Sequence, residues 1–152
     1  MFKYIYFLIA FTLLISLNSC SDDQGLDPHD DHYEAYGVNL YKDGSLFMKV
    51  FNTVIQPGYP TEFDASLTDE AAVYNVIFLD EDGNEMPLPD DDDLSLDVFV
   101  AYPQIAEIEI IDADDYKFKI KPLQKGATKI EIRLLHNDHP DFKTPRITLN
   151  IK

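Results

Sequence analysis

All four histidines of this 152-residue chain fall into two copies of one spacing. His29-Asp30-Asp31-His32 lies near the N-terminus, and His136-Asn137-Asp138-His139 lies shortly before the C-terminus. His-x-x-His can bind a metal when its middle residues form a β-turn, which brings the outer Cα atoms within about 7 Å. Both imidazoles can then reach one ion at about 2 Å. Asp-Asp and Asn-Asp suit such a turn, because their side chains hydrogen-bond the local backbone. In an extended strand the same two side chains would point to opposite faces and the site would fail. Carboxylates at Asp30, Asp31, Glu34, Asp138 and Asp141 stand close in sequence. They can ligate directly or hold an imidazole from behind. The expected metal set is His29, His32, His136, His139, Glu34, Asp138 and Asp141. Zn²⁺ suits imidazole with carboxylate best, and Cu²⁺ and Ni²⁺ also accept imidazole. The competing reading is two unrelated solvated loops.

Other chemistry has less support. Residues 89–93, Pro-Asp-Asp-Asp-Asp, could attract Ca²⁺, but a loop tip kept soluble by charge is the simpler reading. Asp80-Glu81-Asp82-Gly83-Asn84 looks superficially like a calcium loop, yet its glycine falls at the fourth position rather than the sixth. It reads as a hairpin turn. No Gly-x-Ser-x-Gly elbow and no glycine-rich phosphate loop is present. The chain has no tryptophan for stacking sugars. The expectation is therefore a protein that is not an enzyme.

The elements that must position the histidines begin after residue 20. Met1-Phe2-Lys3 gives a short basic start, and residues 4–17 are almost wholly apolar. Leu17-Asn18-Ser19-Cys20 closes that run with small residues and the only cysteine. This is the layout of a secretory signal peptide. The apolar run is about 14 residues, short of the roughly 20 that span a bilayer. The formal net charge is −16, and cleavage that removes Lys3 makes it one unit more negative. Such acidity argues against nucleic acid, which needs a basic patch, and favours cations as partners. Residues 21–28 are polar, acidic and broken by Gly25 and Pro28, as in a flexible tether.

From residue 36 onward apolar residues alternate. Runs 37–41 and 46–55 flank Asp43-Gly44, a strong hairpin signal. Further strands are expected at 73–79, 94–100, 105–111, 116–120 and 129–135, with a last one carrying Ile147, Leu149 and Ile151. No stretch shows a sustained helical period with capping signals. Short strands at regular spacing, with turn signals between them, indicate an all-β sandwich in a single domain.

Four resemblances add to this reading. Leu17-Asn18-Ser19-Cys20 resembles the end of a bacterial lipoprotein signal, although Asn18 stands where a smaller residue is usual. It implies cleavage before Cys20 and a lipid on that cysteine. The chain then divides into a signal peptide at 1–19, a lipidated Cys20 with an acidic tether to 34, and a domain at 35–152. Ser21 followed by Asp22 and Asp23 resembles the tag that sends some lipoproteins to the outer face of the outer membrane. Residues 103–108, 116–123 and 125–132 resemble bacterial immunoglobulin-like domains, with Gly126 supplying the turn before an alternating strand. Finally, 32–37 and 134–142 resemble exported bacterial proteins that open on a His-rich Glu-Ala-x-Gly start and close on a Leu-Leu-His-Asn-x-His-x-Asp-Phe stretch.

Together these imply an exported, lipid-anchored immunoglobulin-like β-sandwich on the outer membrane, at the cell surface or the periplasmic face. Its expected role is capture or sensing of a transition metal, beside an outer-membrane transporter or another surface protein. The alternative is a non-catalytic adhesin-like or structural interaction module with no metal site.

Overall fold

Eleven strands form among the described residues, several of them alternating buried and partly exposed side chains. The computed structural model describes residues 33–89, 93–112 and 115–152. In chain order the strands are β1 (Gly37–Lys42), β2 (Ser45–Phe51), β3 (Val54–Ile55), β4 (Glu62–Ala65), β5 (Val73–Leu79) and β6 (Leu94–Val100). They continue as β7 (Ala106–Asp112), β8 (Lys117–Pro122), β9 (Gly126–His136), β10 (His139–Lys143) and β11 (Ile147–Ile151). There is no helix among the described residues.

The strands form a sandwich of two sheets. One sheet has the order β3-β2-β1-β5-β8-β7. The other is organised around the long strand β9. Its residues 130–136 pair with β6, while residues 126–130 pair with β11 and 133–136 with β10. β10 and β11 therefore lie end to end along one edge of β9, and β6 takes the other edge. β4 joins the outer side of β11 in parallel, whereas every other strand pair is antiparallel.

Alternate residues of both sheets fill the core. Tyr74, Val76 and Phe78 of β5 face Ile130, Ile132 and Leu134 of β9, all buried. Aromatic rings then tie the sheets together. Phe63 of β4 lies 5.3 Å from Tyr74, which stacks on Phe118 at 5.3 Å. Phe78 meets Phe142 of β10 edge to face at 5.6 Å and Tyr116 at 5.9 Å. Such pairs add to the burial of the rings themselves.

Three local departures from the sequence expectation follow from turns and pairing. Residues 46–55 are not one strand. Asn52 and Thr53 take φ values of 49° and 63°, which folds the run into a second hairpin, β2 with β3. β4 is an additional strand, recruited by a partner more than eighty residues away in sequence. β10 adds a strand between β9 and β11 in sequence, beginning at His139. Gly126 takes φ 149° at the start of β9, with Ile105 Cδ1 3.2 Å from where a Cβ would sit. A side chain there would be both strained and crowded.

Candidate functional site

The second histidine pair is a complete two-residue hairpin. Asn137 and Asp138 take φ values of 48° and 73°. Positive φ at both central residues defines a type I′ turn, whose twist matches that of paired strands. Asn and Asp tolerate this conformation better than other non-glycine residues. His136 and His139 are consequently direct cross-strand partners. Directly opposed residues project to the same face, with Cβ atoms about 5 Å apart. The turn geometry that metal binding requires is present.

The face can be read from β9. Ile130, Ile132 and Leu134 point into the core, so His136 has inward parity but lies beyond the last core residue. Its side chain is about one-third exposed, and His139 is exposed. On the other edge of β9, Leu94 of β6 pairs with His136. The backbone N–H of Asn137 donates to the Asp93 carbonyl at 3.0 Å, which ties the turn to the residue before β6.

β10 holds the hairpin in place. The register shifts between Pro140 and Phe142, leaving Asp141 as an extra residue in a bulge. Phe142 thereby pairs with Leu134 and enters the core. Thr144 follows, buried, with its hydroxyl accepting from Ile132 N–H at 3.0 Å. The Asp141 carboxylate lies 3.4 Å from His136 Nδ1. Asp138 lies exposed in the turn itself.

The other members of the expected set are distributed differently. Glu34 accepts a hydrogen bond from the Tyr36 hydroxyl at 2.9 Å. Among the described residues, no three His, Cys, Asp or Glu side chains are grouped closely enough to hold one ion. His29, His32 and Cys20 lie outside the described residues, as do residues 90–92 of the acidic run. Tyr33, bonded directly to His32, is within them. Its ring meets Phe78 edge to face at 6.2 Å, and its hydroxyl donates to the Pro87 carbonyl at 2.9 Å. Burial pushes the Tyr33 hydroxyl up to about 12, helped by the nearby Tyr116. Phe78 in turn touches Phe142 of β10. Tyr33 is thus two ring contacts from the strand that carries His139.

The segment 80–84 is a turn. The Asp80 carboxylate accepts from the N–H groups of Asn84 at 2.8 Å and Asp82 at 3.0 Å, and from Asn84 Nδ2 at 3.2 Å. These bonds, led by that from the Asn84 backbone, hold the Asp80 carboxyl below its usual range. A carboxylate so engaged is serving the backbone.

Two polar clusters had no local signal in the sequence. On the outer face of the first sheet, Glu85 accepts from Tyr41 Oη at 2.5 Å and Asn39 Nδ2 at 2.7 Å. Tyr41 foremost, then Asn39, lowers its carboxyl pKa. On the outer face of the second sheet both arginines of the chain meet at one ring. The Arg133 and Arg146 guanidinium carbons lie 4.6 and 5.5 Å from the Phe99 centroid. Arg133 binds buried Glu131 through two nitrogens at 2.7 Å, and Arg146 approaches the same carboxylate at 3.6 Å. Arg133 also lies 3.5 Å from Asp97, so two guanidinium groups meet two carboxylates and the chemistry is that of packing.

The chain matches no family model and no curated protein sequence. Among solved structures it is similar to the crystal structure of domains 4 and 5 of the S-layer protein SbsC, with 14% identity and a TM-score of 0.44. The similarity covers 60% of this chain and 47% of that one, so the chain spans about half the length of its solved relative.

Proposed function

We propose that this chain is an exported binding module, held to the outer membrane by a lipid on Cys20, whose histidine pairs hold a transition-metal ion. The observation that carries the reading is the type I′ turn. It sets His136 and His139 face to face on one side of a hairpin anchored in the core by Phe142. Two imidazoles on one face fit a metal that prefers nitrogen, with Zn²⁺ first.

Described residues supply two imidazoles, and a tetrahedral ion takes four ligands. The remaining ligands would be the imidazoles of His29 and His32. In this proposal the module captures or senses the ion without catalysis, beside an outer-membrane transporter or another surface protein.

Calorimetric titration of the full chain with Zn²⁺, Cu²⁺ and Ni²⁺ tests the site. The wild type should bind at least one ion, and His136→Ala with His139→Ala should lose that binding. Equal affinity in both would replace this reading with a metal-free, adhesin-like interaction module. The anchor has its own test. Labelled fatty acid should enter the wild type and not Cys20→Ala, and a soluble, unlabelled wild type would remove the anchor.

A further inference from the structure

The bulge in β10 has a chemical consequence at His136. Without it, strict pairing from His139 would place Asp141 opposite Leu134, in the core, and turn Phe142 outward. Burying that carboxylate would be costly, and the bulge avoids it by giving the core position to Phe142. Asp141 is left beside the hairpin, with its Oδ2 atom 3.4 Å from His136 Nδ1. An ionised carboxylate only accepts hydrogen bonds. The contact therefore favours a proton on Nδ1, and in a neutral ring that leaves the lone pair on Nε2.

We infer that Asp141 is a positioning residue, which holds His136 in its Nδ1–H form so that Nε2 is the nitrogen offered to a metal. This rests on the metal reading above and divides the labour within it. Asp141 binds the back of the ring, and His136 with His139 faces the ion. A carboxylate behind a ligating imidazole fixes the ring's orientation and raises its basicity.

Long-range proton–nitrogen NMR correlations on the full chain in detergent, at about pH 8 and without metal, report the tautomer directly. Wild-type His136 should show a protonated Nδ1 and an unprotonated Nε2. Asp141→Ala should shift the ring toward the Nε2–H form that free imidazole side chains favour, and Asp141→Glu should restore part of the wild-type pattern. Asp141 is solvent-accessible, so neither variant should change the metal-free melting temperature appreciably. Zn²⁺ affinity should fall about 10- to 100-fold in Asp141→Ala and recover partly in Asp141→Glu. A wild-type ring protonated at Nε2, or an Asp141→Ala variant that binds Zn²⁺ as tightly as wild type, overturns the inference. A pinned tautomer in a chain that binds no Zn²⁺ overturns the metal reading instead and leaves Asp141 as an orienting group only.

Discussion

Two hairpins of this molecule use the same turn for different ends. Asn52-Thr53 and Asn137-Asp138 both place two non-glycine residues at positive φ between directly paired strand residues. The first turn is flanked by Phe51 and Val54, and it leads into a two-residue strand with Val54 57% exposed. The second is flanked by two histidines, and it leads into a five-residue strand that sends Phe142 into the core and is followed by buried Thr144. The turn itself only sets two side chains face to face. Chemistry requires that those side chains be ligands and that the return strand be held firmly enough to keep them there.

The sharpest way to break this contrast is to remove the anchor. Phe142→Ala should cost about 3–5 kcal/mol, read by urea unfolding. Val54→Ala, at the matching hairpin, should change stability by less than about 0.5 kcal/mol. Equal effects would mean that β10 is no better fixed than β3. Metal comes next. At a hundredfold excess over its dissociation constant, an ion that binds only the folded state should add about 2.7 kcal/mol. His136→Ala with His139→Ala should abolish that gain in a thermal melt, and Val54→Ala should keep it.

A smaller effect separates the turns themselves. Thr53 is β-branched at φ 63°, a conformation that costs such residues more than Asn or Asp. Thr53→Gly should therefore stabilise the protein by up to about 1 kcal/mol, and Asp138→Gly by less. A destabilised Thr53→Gly would show that the first turn carries no strain. The smallest expected effect concerns two carboxylates held by hydrogen bonds. Asp80 and Glu85 have folded-state pKa values below the usual range, through the Asn84 backbone and the Tyr41 hydroxyl respectively. Each adds stability above the ordinary carboxylate pKa of about 4, and loses it as pH falls through the lowered value. Glu85→Gln and Asp80→Asn should each flatten the acid side of a stability–pH curve.

The strands with clean alternation were legible locally. Val73–Leu79 and Leu94–Val100 stand where their pattern puts them, because period-2 burial is written into neighbouring residues. Asp43-Gly44 was legible as a turn because glycine takes positive φ at no steric cost. Asn52-Thr53 was not, since nothing about a threonine announces a left-handed conformation. In His136-Asn137-Asp138-His139 the middle residues correctly suggested a turn.

The chain by itself thus determined the all-β sandwich, most of its strands, and the histidine pair with its turn. Tertiary structure alone decided three further things. β4 exists because β11 offers it an edge, with only buried Phe63 to mark it. Asp141 faces His136 because Phe142 claims the core position opposite Leu134. Tyr33 belongs to the same end as β10 because both reach Phe78. Alternation and turn chemistry act between neighbours and can be read along the chain. Register, edge and shared face are set by partners distant in sequence, and they take their values only when the two sheets close on each other.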